Sequence, residues 1–199
     1  MKHGWTTFWL CASALAAWLA LACSAQNAAP SQEAQRRTNE VTLAGLRPGK
    51  DTLTAGERRY KPKFRETTPG RGGGNIAEWR DRCNGKSLRL ELDEKGVIQS
   101  VTISALAPRQ DCMGRPDDFL NQKYWTTGRG LKLRDPRDLV VELYGEPNSS
   151  GPSVKGNQEL ELWFYTFDWA GSDVPQVMEV SCERATGRVV EITLAFPSL

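Results

Sequence analysis

Residues 130–147, GLKLRDPRDLVVELYGEP, carry apolar side chains at Leu139, Val140, Leu143 and Tyr144, a 3.6-residue spacing that predicts a core-facing amphipathic helix. Its ends are marked as well. Asp135 is placed to cap it, Pro136 suits the first helical position where no amide is needed, and Gly145 followed by Pro147 stops it. Elsewhere the period is two. SLRLELDEK (87–95), GVIQSVTIS (96–104), VMEVSCERAT (177–186) and GRVVEITLA (187–195) alternate apolar and polar residues between turn residues and predict antiparallel strands. QELELWFYTFDWAG (158–171) alternates with both faces partly apolar: Leu160, Leu162 and Phe164 point one way, Glu161, Trp163, Tyr165, Phe167 and Trp169 the other. Packing of the 135–144 helix on the leucine side leaves the aromatic row either buried against the first half of the molecule or open as a platform for a partner.

The pattern occurs twice. AGLRPGKDTLTAGERRYKP (44–62) matches RGLKLRDPRDLVVELYGEP (129–147) through Gly-Leu at 45–46 and 130–131, Asp51 and Asp135, Tyr60 and Tyr144, and a proline after each tyrosine. GVIQSVTIS and GRVVEITLA match further on. The expected fold class is therefore α+β, two tandem helix-plus-antiparallel-sheet units at 41–106 and 130–199 joined by a connector at 107–129. The first helix is the weaker prediction, because Thr54 and Gly56 stand where the second has better helix formers.

The amino-terminal residues read differently. Met1 and Lys2 lead into FWLCASALAAWLALA (8–22), an uncharged run short for a membrane span and followed by small residues, so 1–25 is read as a secretory signal peptide and the Ala-, Gln- and Ser-rich 26–40 as a flexible tether. Cleavage before Cys23 and before Gln26 both satisfy the small-residue requirement. Cys23 is also a lipidation candidate, although Ala20 and Leu21 fit a lipobox poorly. Membrane attachment is expected only if Cys23 is lipidated.

Export restricts the available chemistry. His3, the sole histidine, would leave with the signal, which removes histidine bases, histidine-ligated zinc and Ser-His-Asp or Cys-His pairs from the mature chain. No cofactor and no metal site is expected. With 26 basic and 24 acidic residues interleaved to a net charge of +2, a nucleic-acid partner is not expected either. Cys83 and Cys112 flank a predicted strand pair and are the expected disulfide, a link that typically stabilises by about 3 kcal/mol. Cys182 is expected to be a buried thiol.

Three motifs suggest chemistry and are read structurally. CNGKS (83–87) lacks the first glycine and the preceding strand of a phosphate loop. PGRGGG (69–74) suits a hairpin loop, and Asn148-Ser149-Ser150 is a glycosylation sequon that matters only in a eukaryotic host.

The repeated Gly-Leu, aspartate, helix, Tyr-x-Pro or Tyr-Gly-x-Pro and antiparallel sheet resembles the small envelope lipoproteins of the BamE (SmpA/OmlA) type, and its tandem form resembles the β-lactamase-inhibitor protein family. That resemblance implies helices packed on one face of a sheet, a protein partner on the other, and no catalytic residues. The functional expectation is an exported, non-enzymatic protein-binding or envelope-associated module, periplasmic or secreted, or outer-membrane anchored. Its expected contact residues for an unidentified protein or peptide are Trp163, Tyr165, Phe167 and Trp169, with Tyr124 and Trp125 of the connector beside them. The alternative is a carboxylate-dependent hydrolase acting on envelope glycans or peptides, although strand parity separates the pair Glu161 and Asp168.

Overall fold

Strand alternation sorts side chains into rows that run across a sheet, and the length of those rows decides whether the chain has one core or two. The computed structural model describes residues 39–60, 65–70, 74–81, 84–105, 125–167 and 176–196. A helix α1 (Leu53–Arg59) precedes strands β1 (Arg65–Pro69), β2 (Asn75–Asp81), β3 (Lys86–Leu92) and β4 (Ile98–Ala105). A second helix α2 (Arg137–Tyr144) precedes β5 (Ser149–Lys155), β6 (Gln158–Phe167), β7 (Gln176–Glu183) and β8 (Val189–Ala195). All eight strands form one antiparallel sheet in the order β1-β2-β3-β4-β8-β7-β6-β5.

This corrects the expectation of two tandem α+β units. β4 and β8 pair over Ser100–Ser104 and Glu191–Ala195, so the two meanders share a seam. One buried row runs unbroken through Ala77, Leu90, Val101, Leu194, Met178 and Tyr165, and a second through Trp79, Leu88, Ile103, Ile192, Val180 and Trp163. Among the described residues there is one hydrophobic core. Seven and eight residues of helix beside eight strands make the fold a β-sheet protein with two small helical covers.

Both helices lie on the apolar side. Gly56 is the buried residue of α1, and a Cβ there would sit 3.0 Å from Leu90 Cδ1, so the glycine that weakens the helix locally is what lets it approach the sheet. On α2, Val140 and Tyr144 are buried and Leu139 and Leu143 pack at the margin, which is the face expected from sequence. Gly145 ends α2 with φ +74°, a conformation open to glycine.

The helix starts differ from expectation. Asp135 does not cap α2; Pro136 occupies the cap position, and Asp135 Oδ2 accepts the Lys132 amide at 2.8 Å. The turns of the sheet supply acceptors instead: the Leu53 amide donates to the Gly96 carbonyl (3.0 Å) and the Arg137 amide to the Gly187 carbonyl (2.9 Å). These bonds satisfy helix amides that lack an internal partner and fix each helix to a hairpin beneath it.

A buried carboxylate closes this layer. Glu40, the last residue of the expected tether, lies inside the fold. Its Oε1 accepts the amides of Val41, Thr42 and Gly128, and its Oε2 accepts the Arg129 amide and the Tyr144 hydroxyl (2.8 Å). Burial, reinforced by Glu40, pushes the Tyr144 hydroxyl above its ordinary pKa and keeps it a donor. β1 and β2 pair antiparallel and the Gly70 amide donates to the Gly74 carbonyl (2.8 Å), while residues 71–73 of PGRGGG lie outside the described residues.

Candidate functional site

The aromatic row is core. Trp163, Tyr165 and Phe167 do share a face, but it is the face that α2 covers: the Tyr144 ring lies 5.9 Å from Tyr165 and 6.0 Å from Phe167, and Tyr165 and Phe167 stack at 6.3 Å. Their exposures are 8%, 0% and 1%, so these three are core and not the contact surface expected of them. The physical reason is that burying three large rings removes far more apolar surface from water than burying the opposite side of β6. Trp125 is likewise buried, edge-on to Tyr60 at 6.5 Å. Tyr124, Trp169, Cys23, Cys83 and Cys112 lie outside the described residues, as does Asp168. Glu161 is on the helix side, paired with Arg137 at 3.4 Å. Cys182 is a buried free thiol, its pKa pushed up to about 11 by burial and then by Glu161, against the opposing effect of Arg137.

The candidate site is the other face of the sheet. Three rows cross it, each one residue out of step with a core row. The first runs Arg80, Ser87, Ser104, Glu191 and Ser181; the second Glu78, Arg89, Thr102, Thr193, Glu179 and Phe164; the third Ile76, Glu91, Ser100, Ala195 and Val177. All of these but Ser181 and Phe164 line an open trough of about 950 Å³.

Its chemistry is hydroxyls and paired charges. The Thr102 and Thr193 hydroxyls are 2.9 Å apart across the β4–β8 seam, and the Ser104 hydroxyl donates to Glu191 Oε2 at 2.5 Å. Arg80 pairs with Glu78 at 2.7 Å and Arg89 with Glu91 at 2.6 Å, each within one strand. Lys155, at the tip of the β5–β6 hairpin, also reaches Glu191 Oε2. β5 is three strands from β8, about 14 Å in a flat sheet. That ion pair therefore requires the β5 edge to curl over the floor, and the curl is what makes the sheet a trough. Among the described residues no element covers it, and no group of three potential metal ligands occurs.

Sequence reasoning passed over these residues, although their signal was present. The polar parity of QSVTIS and EITLA, Ser100, Thr102, Ser104, Glu191 and Thr193, is what remains when the apolar positions are assigned inward. With no aromatic ring among them, they did not stand out.

No protein-family model matches the chain, and no curated protein matches it. Among solved structures, a cysteine-rich secretory protein from Staphylococcus aureus is similar over 81% of this chain and 47% of its own, at 10% identity and a TM-score of 0.46, so the chain spans about half the length of that protein. A "putative beta-lactamase inhibitor protein" from Streptococcus mutans is similar over 78% of this chain and 89% of its own, at 16% identity and a TM-score of 0.27. These likenesses show neither a family nor a partner for this chain.

Proposed function

We propose that this chain is an exported, non-enzymatic binding module that takes a protein or peptide partner in the open trough of its sheet. The observation that carries the reading is the contrast of faces: one side of the sheet is sealed by α1, α2 and the buried rings, while the other lines an open trough with the Thr102 and Thr193 hydroxyls, largely buried serines and paired charges held on rigid strands. Rigid strands hold polar groups in fixed positions, which lowers the ordering penalty of binding. A trough this polar suits a protein surface better than an apolar small molecule. Export rests on the signal-like residues 1–25. Cleavage before Gln26, or before an unmodified Cys23, gives a soluble form, and cleavage before a lipidated Cys23 a membrane-anchored one; the intact mass of the chain from its host distinguishes them.

Photo-crosslinking in the host tests the reading. A benzophenone amino acid at Thr102 or Thr193 should yield a discrete crosslinked species, and the same probe at Asp138 or Glu142 of α2 should not. Crosslinks from the helix positions alone would move the binding surface to the opposite side.

A further inference from the structure

Glu191 is the acidic centre of the trough, and it is already occupied by a cation from the chain itself. Its Oε2 receives the Ser104 hydroxyl from one neighbouring strand and the Lys155 ammonium from the curled edge. The Lys155 side chain is 57% exposed, so this ion pair sits at the solvent boundary where such contacts are weak and exchangeable. A second carboxylate stands diagonally across the β7–β8 ladder: Glu179 faces Thr193 while Glu191 faces Ser181, a relation that separates side chains by about 7–8 Å. Glu179 is exposed and has no ion-pair partner among the described residues. The other two basic side chains of the floor, Arg80 and Arg89, are each bonded to a glutamate of their own strand.

We propose that Glu191 and Glu179, with the Ser104 and Thr193 hydroxyls beside them, form a subsite for a cationic side chain, a lysine or arginine borne on a protruding segment of a protein partner, and that Lys155 is its internal placeholder. The inference rests on the trough being the docking face and specifies the partner's chemistry there. Lys155 shows that the subsite accepts a primary ammonium. It also means that an incoming cation competes with the hairpin tip, so binding releases β5–β6 from its contact with β8. Removing the placeholder should therefore strengthen binding, the opposite of what is seen when a favourable contact is deleted.

The test is an amide-resonance titration of the ¹⁵N-labelled protein with two probes, a tetralysine peptide and a tetraglutamate peptide. Tetralysine should shift the amides of Glu179, Glu191, Thr193 and Thr102. Lys155→Met should tighten that binding by about threefold and Glu191→Gln weaken it by about threefold, magnitudes suited to an exposed ion pair. Preserved dispersion of the core amides shows that each variant is folded. Unchanged or weaker tetralysine binding by Lys155→Met overturns the proposal, as does a lack of shifts at the four amides. If tetraglutamate binds those residues in preference, the charge assignment fails and the trough remains the docking face. If both peptides shift only residues outside the trough, the reading of the face fails too.

Discussion

Two rows of the sheet, one residue apart on the same strands, have opposite fates. Ala77, Leu90, Val101, Leu194, Met178 and Tyr165 are buried beneath the helices; Glu78, Arg89, Thr102, Thr193, Glu179 and Phe164 run beside them on the other side. The backbone and its hydrogen bonds are common to both. The difference therefore isolates what each face does: the inner row stabilises the fold, and the outer row is free to carry polar groups because stability does not depend on it. A substitution should be read by its parity before its chemistry.

The largest effect should come from the inner side. Trp79, fully buried against Tyr60 at 5.9 Å, replaced by alanine should destabilise by about 3–5 kcal/mol, seen as a lower urea midpoint with an unchanged slope. Trp163→Ala should fall in the same class, whereas a wild-type midpoint for that variant would return the aromatic row to the surface. Next comes the buried polar layer. Tyr144→Phe deletes the hydroxyl donated to Glu40 Oε2, also 2.7 Å from the Thr127 hydroxyl, and should destabilise by about 1–3 kcal/mol in the same assay.

A smaller effect depends on pH. The Cys182 thiol is raised from 9.0 to about 11 in the fold, so the folded state holds its proton more tightly than the unfolded one. Its contribution is complete below pH 9 and is lost as pH rises toward 11, so stability should fall across that window. Cys182→Ala should flatten that part of the fall, measured by urea titration at successive pH values. The smallest effect belongs to the outer row: Thr102→Ser should change stability by less than about 0.5 kcal/mol.

How much of this was legible in the sequence follows from the range of each interaction. α2 was legible because its stripe and its terminator Gly145 are local, and the strands were legible from period-two alternation. The parity of Trp163, Tyr165 and Phe167 was also readable. Which side would be covered was not, because β6 is apolar on both faces and the choice is made by Tyr144, outside the strand. The β4–β8 seam was out of reach for a similar reason: Thr102 and Thr193 are separated by 91 residues, and nothing near either names the other. Without that pairing the halves looked like separate units. The trough was missed with it, since its floor is assembled across the seam. Gly56 argued against α1 locally and turned out to serve its packing, a case of tertiary contact outweighing propensity.

Cysteine accessibility at neighbouring positions distinguishes a sheet with one sealed face and one open face from a sheet covered on both. Val101→Cys, Thr102→Cys, Ile192→Cys and Thr193→Cys would be treated with a maleimide under native conditions, each against the wild-type background. Thr102→Cys and Thr193→Cys should label readily under native conditions, while Val101→Cys and Ile192→Cys should label only on unfolding. Equal protection of all four would show that the outer face is covered and the trough closed.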